Sequence, residues 1–329
     1  MTDVLFLTSE DVAGLAEPAD FVDSVRDAYR QRGEGAPAKP RTALETDEPP
    51  GLFTTYAAVL PDTGVMGGYM YSAGFGAGDA WFVTPLFDAE SGELLAIVDG
   101  ASMNPFKTGA TGAVGVEALA REDASVLAII GSGSQARGQL RATATVRDFD
   151  AVRVFSPTPE RREAFAEEMT AELGKSVTPV TSAEKAIEGA DVVITATTAS
   201  EPVFDGSLLE PGTHVTAMGQ YDPDRYELDA TTIERSLYVP DLTARTTQDA
   251  GAYLNAVETG AIDADHVHAE LGAVIAGVAP GRTDPDQITV FDSGGTGIET
   301  AAAGYLLFER AREAGLGSTI EFSPASDAF

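Results

Sequence analysis

The chain has no cysteine among its 329 residues. Disulfides, thiolate nucleophiles and cysteine-ligated zinc are therefore excluded. Histidine is scarce, at three residues, and tryptophan occurs once. His266 and His268 stand two apart and do not share a helical face, and His214 lies far from both, so no metal site is expected. Lys39, Lys107, Lys175 and Lys185 are the only lysines. Positive charge as a whole is thin: 21 Lys and Arg stand against 52 Asp and Glu, for a formal net charge of −31. Binding nucleic acid takes clustered cations that displace counterions, so a nucleic-acid partner is not expected. No apolar run approaches the length of a membrane span. The opening residues lack the basic start and long apolar core of a secretory signal. The expectation is a cytoplasmic chain with no membrane partner.

What is abundant is acid, spread over the whole length. Such a charge repels itself at low salt, and the repulsion fades when screening shortens to a few ångströms near molar salt. The composition reads as that of a protein from a salt-accumulating halophile. An acidic surface kept for a basic partner would instead concentrate the acids. Hydrophobic content is 43%, typical of a globular protein. The length suffices for two domains.

Two rhythms divide the chain. The opening looks helical, with Asp20 as a cap and Val22, Val25 and Tyr29 on one face. Residues 31–51, rich in Gly, Pro and charge, read as a loop. Strand-like runs follow at 52–60, 65–72, 81–87 and 93–98, the last two joined by the hairpin-length segment 88–92. Small and apolar residues at 108–120 suggest a buried helix. From there short apolar runs alternate with helical stretches, at 126–130, 152–155, 177–180, 191–196, 214–218 and 237–239. That alternation predicts a parallel sheet flanked by helices. A final run at 288–291 precedes a long apolar helix reaching Glu313.

The segment Val126-Leu-Ala-Ile-Ile-Gly131-Ser132-Gly133-Ser134-Gln135-Ala136 carries the most chemistry. A strand enters a Gly-x-Gly-x-x-Ala turn and a helix-prone run leaves it, the context that makes a dinucleotide site credible. Gly131 permits the tight turn, Gly133 lets a pyrophosphate approach the backbone, and Ala136 lets helix and strand pack closely. The N–H groups at the helix start then face the phosphates. Sites for NAD carry an acidic residue at the end of the second strand. Here that strand ends in Ser156-Pro-Thr158-Pro-Glu160-Arg161-Arg162, with no carboxylate at the strand end. Ser156 and Thr158 suit a 2′-phosphate, and Arg161 or Arg162 would pair with it, which favours NADP and leaves NAD open. The plainer reading keeps both arginines solvated in the first turn of the helix.

The order of motifs resembles the ornithine cyclodeaminase/mu-crystallin family, which includes archaeal-type alanine dehydrogenases and ketimine reductases. The pieces that carry the resemblance are 88–96, 107–110, 129–136, 190–197, 211–215, 227–229, 277–282 and 291–295. The resemblance implies an α/β chain. A Rossmann NAD(P)-binding domain at 118–297 is inserted into a discontinuous α+β catalytic and dimerisation domain at 1–117 plus 298–329. It also implies a homodimer and a small anionic amino or imino acid as substrate. Beside the turn residues, cofactor contacts are expected from Thr108, Thr197, Thr198, Met218, Gly219, Ser293, Gly294 and Gly295.

The substrate positions depart from the family. Arg41 matches an arginine that holds the substrate, and Lys107 stands for a second arginine, keeping charge but losing the bidentate fork. Tyr69 falls where relatives carry a lysine, and Tyr221, beside Asp222, where cyclodeaminases carry an acid. Thr300 takes a further acidic position. Cyclodeamination needs those groups to handle an ammonium. A reductase needs only a hydride donor, an anion anchor and a proton source. The expected function is therefore an NAD(P)-dependent oxidoreductase that interconverts a small imino or keto acid and its amino acid. Arg41 and Lys107 would serve as anchors, with Tyr69 or Tyr221 as proton source. The alternatives are an ornithine cyclodeaminase with bound NAD, and a non-catalytic ligand-binding protein of the mu-crystallin type.

Overall fold

The structure, a computed structural model, describes residues 2–327. It divides into two compact units, Met1–Lys107 with Thr296–Phe329, and Thr108–Gly295.

The first unit begins with strand β1 (Thr2–Leu7) and the helix Pro18–Gly33. A meander follows: β2 (Thr42–Asp47), β3 (Pro50–Leu60), β4 (Val65–Gly74), β5 (Asp79–Asp88) and β6 (Leu94–Asp99). Within the second unit come β7 (Val126–Ile130), β8 (Ala151–Phe155), β9 (Val177–Pro179), β10 (Val192–Thr195), β11 (His214–Ala217), β12 (Ser236–Pro240) and β13 (Ile288–Asp292). The chain then returns to the first unit with the helix Gly297–Ala314 and β14 (Ser318–Phe322).

The first sheet runs β14-β1-β6-β5-β4-β3-β2. Its strands alternate as half-buried strands do: Tyr69 and Tyr71 are buried while Met70 between them is exposed. The helix Gly297–Ala314 covers the buried face. Three expectations are corrected here. The opening is a strand before it is a helix, because β1 pairs with β6 and β14, partners remote in sequence. Asp20 is not the cap of the helix Pro18–Gly33. Glu17 is the N-cap, and Asp20 accepts from its backbone N–H at 2.9 Å. The expected loop at 31–51 also holds β2, whose six residues are all exposed. It shows no alternation, and only its ladder to β3 defines it.

The second sheet is parallel throughout, in the order β12-β13-β11-β10-β7-β8-β9. This is the 3-2-1-4-5 arrangement of a Rossmann fold, with the chain reversing its direction of travel between β7 and β10. Both faces are covered. Leu127, Ile129, Val192 and Ile194 feed one core, and Ala128, Ile130, Val193 and Val215 the other. Continuous apolar strands are what such double burial requires. Among the described residues no helix is long and apolar enough to cross a membrane.

Candidate functional site

Gly131 closes β7 with φ of +124°, and a Cβ built on it would lie 2.3 Å from the Ala196 carbonyl oxygen. Only glycine fits. Its N–H donates to the Phe155 carbonyl at 2.8 Å, tying the turn to the end of β8. Gly133 differs: its φ is an ordinary −84°, and a Cβ there would meet nothing within 4 Å. It is the N-cap of the helix Ser134–Val146 and supplies no side-chain cap. The first N–H groups of that helix are left for an anion. Ala136 is fully buried, and Ser134 is exposed at the helix start. Gln135 carries a buried Oε1 with no hydrogen-bond partner in the chain. A turn with no side chain at Gly131 or Gly133 and an uncapped helix start together fit a dinucleotide phosphate.

At the end of β8, Ser156 is buried and its hydroxyl accepts from Ser132 Oγ at 2.9 Å. Arg162 donates to the Ser156 carbonyl at 3.0 Å. Thr158 and Arg161 are exposed. Of the residues expected around a 2′-phosphate, these two face outward, whereas Ser156 and Arg162 hold the turn itself.

The carboxyl ends of the other strands are organised by two buried acids. Glu227 accepts from Thr195 Oγ1 at 2.9 Å, from the Thr197 N–H at 2.7 Å and from the Gly219 N–H at 2.8 Å. Burial pushes its carboxyl pKa up, and these donors oppose the shift. Asp241 accepts from Ser293 Oγ at 2.8 Å and the Gly294 N–H at 2.9 Å, and pairs with Arg245. Thr197, Gly219, Ser293 and Gly294 therefore turn these donors inward. Thr198 is exposed, Met218 is buried, and Gly295 donates to Ser293 Oγ at 3.3 Å. The Thr108 carbonyl accepts from Gln139 at 2.7 Å.

The first unit gathers a second set. Arg41, 6% exposed, donates to the Tyr71 hydroxyl at 3.1 Å and lies over the Tyr56 ring. Lys107, in the helix Asn104–Leu119, is 2% exposed. Its ammonium lies 4.8 Å from the Tyr69 ring centre and 3.7 Å from Glu299 Oε1. Burial lowers the Lys107 pKa; Glu299 raises it and Arg41 lowers it further. Glu299 is fixed by the start of its own helix. Its carboxylate accepts from the Thr296 N–H, from Thr296 Oγ1 at 2.5 Å and from the Tyr29 hydroxyl at 3.4 Å. Thr300 donates instead to the Thr296 carbonyl at 2.8 Å. The acid beside Lys107 is thus Glu299, one residue before the expected position. The Thr296-x-x-Glu299 capping box announces that carboxylate's orientation.

Tyr69 is fully buried, and its hydroxyl donates to the Gly100 carbonyl at 2.8 Å. Burial pushes its pKa well up, so it suits a proton source poorly. Tyr221 lies in the second unit and is 41% exposed. His214 is buried between two hydroxyls, 2.8 Å from Thr289 Oγ1 and 2.9 Å from Thr216 Oγ1. His266 and His268 face backbone carbonyls. Among the described residues no group of acids and histidines is arranged to hold a metal ion.

A family model described as the ornithine cyclodeaminase/mu-crystallin family matches residues 2–315. The Δ1-pyrroline-2-carboxylate reductase of Bacillus cereus is 35% identical over 241 residues, 73% of this chain and 74% of that protein. A solved structure of the Thermococcus litoralis Δ1-pyrroline-2-carboxylate reductase with NADH and L-proline has a TM-score of 0.91 and 33% identity. It covers 96% of this chain and 100% of its own. An archaeal alanine dehydrogenase dimer with bound NAD has a TM-score of 0.91 and 30% identity, covering 98% and 100%.

Proposed function

Because the chain belongs to the ornithine cyclodeaminase/mu-crystallin family, we propose that it is an NAD(P)-dependent oxidoreductase interconverting a small imino or keto acid and its amino acid. The observation that carries this is the pair of buried cations, Arg41 and Lys107, set among tyrosines in one cluster. Glu299 offsets one of the two charges, and a bound carboxylate would offset the other. The substrates of the relatives have that group: one acts on pyrroline-2-carboxylate, another on alanine. Bound dinucleotide would supply the hydride. The chain's own part is to hold the carboxylate on Arg41 and Lys107 and to deliver a proton. Lys107, with its pKa drawn down, suits that delivery better than Tyr69, whose pKa is driven up. Cyclodeamination is less well supported, since the lysine position holds a buried tyrosine bonded to Gly100.

NADP is the proposed cofactor, supported by the absence of a carboxylate at the end of β8 and by the outward Thr158 and Arg161. A homodimer is proposed on the exposed face of the first sheet. Leu44, Phe53, Ser72 and Trp81 lie opposite one another across β2 to β5, beside the row Thr55, Met70 and Val83. Trp81 is 68% and Leu44 62% exposed. A contiguous apolar patch of this kind marks an interface, and a two-fold axis lets it cover itself.

The test is a screen of Δ1-pyrroline-2-carboxylate and of pyruvate with ammonia, in molar KCl, with NADPH and NADH compared. Dinucleotide oxidation with an imino or keto acid is expected, faster with NADPH. Ammonia release from ornithine without net dinucleotide turnover would assign cyclodeamination instead.

A further inference from the structure

Glu227 has no role in the reading above. It is 3% exposed and lies between β11 and the helix Ala230–Glu234. Burying a carboxylate is costly, so it opposes folding unless its bonds do what an apolar side chain cannot. Those bonds are specific. Oε1 accepts the Thr197 N–H just after β10, and Oε2 accepts the Gly219 N–H just after β11 and the Thr195 hydroxyl within β10. A Cβ on Gly219 would lie 2.4 Å from Oε2, so the backbone is pressed against the carboxylate. One side chain thus fastens together the segments that leave two adjacent parallel strands.

The place of those segments in the sheet gives them a meaning. The reversal of strand order falls between β7 and β10. The glycine turn follows β7, and the ribose-reading position follows β8, so the adenosine half of a dinucleotide belongs on the β8 side. The ends of β10 and β11 are left for the nicotinamide half. We propose that Glu227 is a positioning residue for the nicotinamide half of the cofactor, acting through the segments at Thr197 and Gly219 without touching the ligand. This rests on the dinucleotide reading of the second unit.

An amide in place of the carboxylate has one acceptor oxygen and one NH2 group that repels an N–H. Glu227→Gln must therefore abandon the Thr197 or the Gly219 N–H. The cofactor-free variant is titrated with NADPH and NADH by nicotinamide fluorescence, and with the matching ADP-ribose (2′-phosphorylated where NADPH binds tighter), which lacks nicotinamide, by calorimetry. The Kd of the tighter dinucleotide is expected to rise about tenfold or more, while that of ADP-ribose stays within about twofold. A dinucleotide Kd unchanged within about twofold, or equal weakening of both ligands, overturns the proposal and leaves Glu227 a purely structural group. If Glu227→Gln does not fold, Thr195→Val decides by the same titrations. It removes one donor to Oε2 and keeps the side-chain shape, with a rise of about threefold confined to the dinucleotide expected. No rise overturns the proposal. A wild-type chain that binds none of the three ligands overturns the dinucleotide reading itself, before any variant is made.

Discussion

The glycine turn after β7 and the Arg41–Lys107 cluster are both suited to an anion, by different means. The turn works with backbone. Its donors come from the uncapped helix start at 133–136, and its demands on sequence are mainly negative: no side chain at Gly131 or Gly133, a small one at Ala136. The cluster works with side chains. It draws on Arg41, Tyr56, Tyr69, Tyr71, Lys107 and Glu299, which only the topology of the first unit brings together. A backbone site leaves a local pattern in the sequence; a side-chain site leaves scattered letters.

The sharpest way to break that contrast lies within the turn. Gly131→Ala meets the Ala196 carbonyl at 2.3 Å in a left-handed conformation. It should lose roughly 2–4 kcal/mol of stability, and dinucleotide binding with it. Gly133→Ala enters open space at a negative φ. It should stay within about 0.5 kcal/mol of wild type in denaturation, yet weaken NADPH binding by about tenfold because the methyl group occupies the phosphate's approach. If both variants unfold alike, or if Gly133→Ala binds normally, the turn is not a phosphate site.

In the cluster the effects should separate the other way. Lys107→Ala removes a cation that the turn does not use. It should lower kcat/KM for the preferred imino acid about a hundredfold, or roughly 3 kcal/mol. The Kd of dinucleotide measured by fluorescence should not change. Stability should fall too, by about 3 kcal/mol, because Glu299 stays buried without its ammonium neighbour. Kinetics equal to wild type would remove Lys107 from the substrate's surroundings.

How far each region was legible follows from these differences. The strand–turn–helix at 126–146 and the alternation of the parallel sheet could be read directly, since double burial writes continuous apolar runs. β2 could not, because an edge strand exposed along its whole length has no apolar alternation. β1 escaped because its partners lie near residues 96 and 320. Arg41 and Lys107 stood out only through family resemblance. Glu299 was passed over for Thr300, although its capping box was present in the letters. Glu227 was visible as part of a motif, but no sequence rule connects it to Thr197 and Gly219. That connection is made by the crossover from β10 to β11.

One of the groups through which acidification should touch the backbone-built unit is a histidine. His214 sits within β11 between Thr289 and Thr216. Burial, with Arg282 and Arg147 nearby, holds its pKa down to about 3. The unfolded chain binds this proton near pH 6.5, so below that pH the unfolded state takes up a proton that the native ring refuses. His214 therefore adds stability that is whole above pH 6.5 and drains away as pH falls toward 3. Between pH 6.5 and 5, with most carboxylates still ionised, the loss should be about 2 kcal/mol. Glu227 works in the opposite sense, since its raised pKa favours the native state as acid is added. The informative quantity is thus a difference: urea denaturation in molar KCl of wild type and His214→Gln across that window. The variant should lack the His214 slope while keeping every other one. Parallel curves would mean that the native ring takes up its proton as readily as the unfolded one.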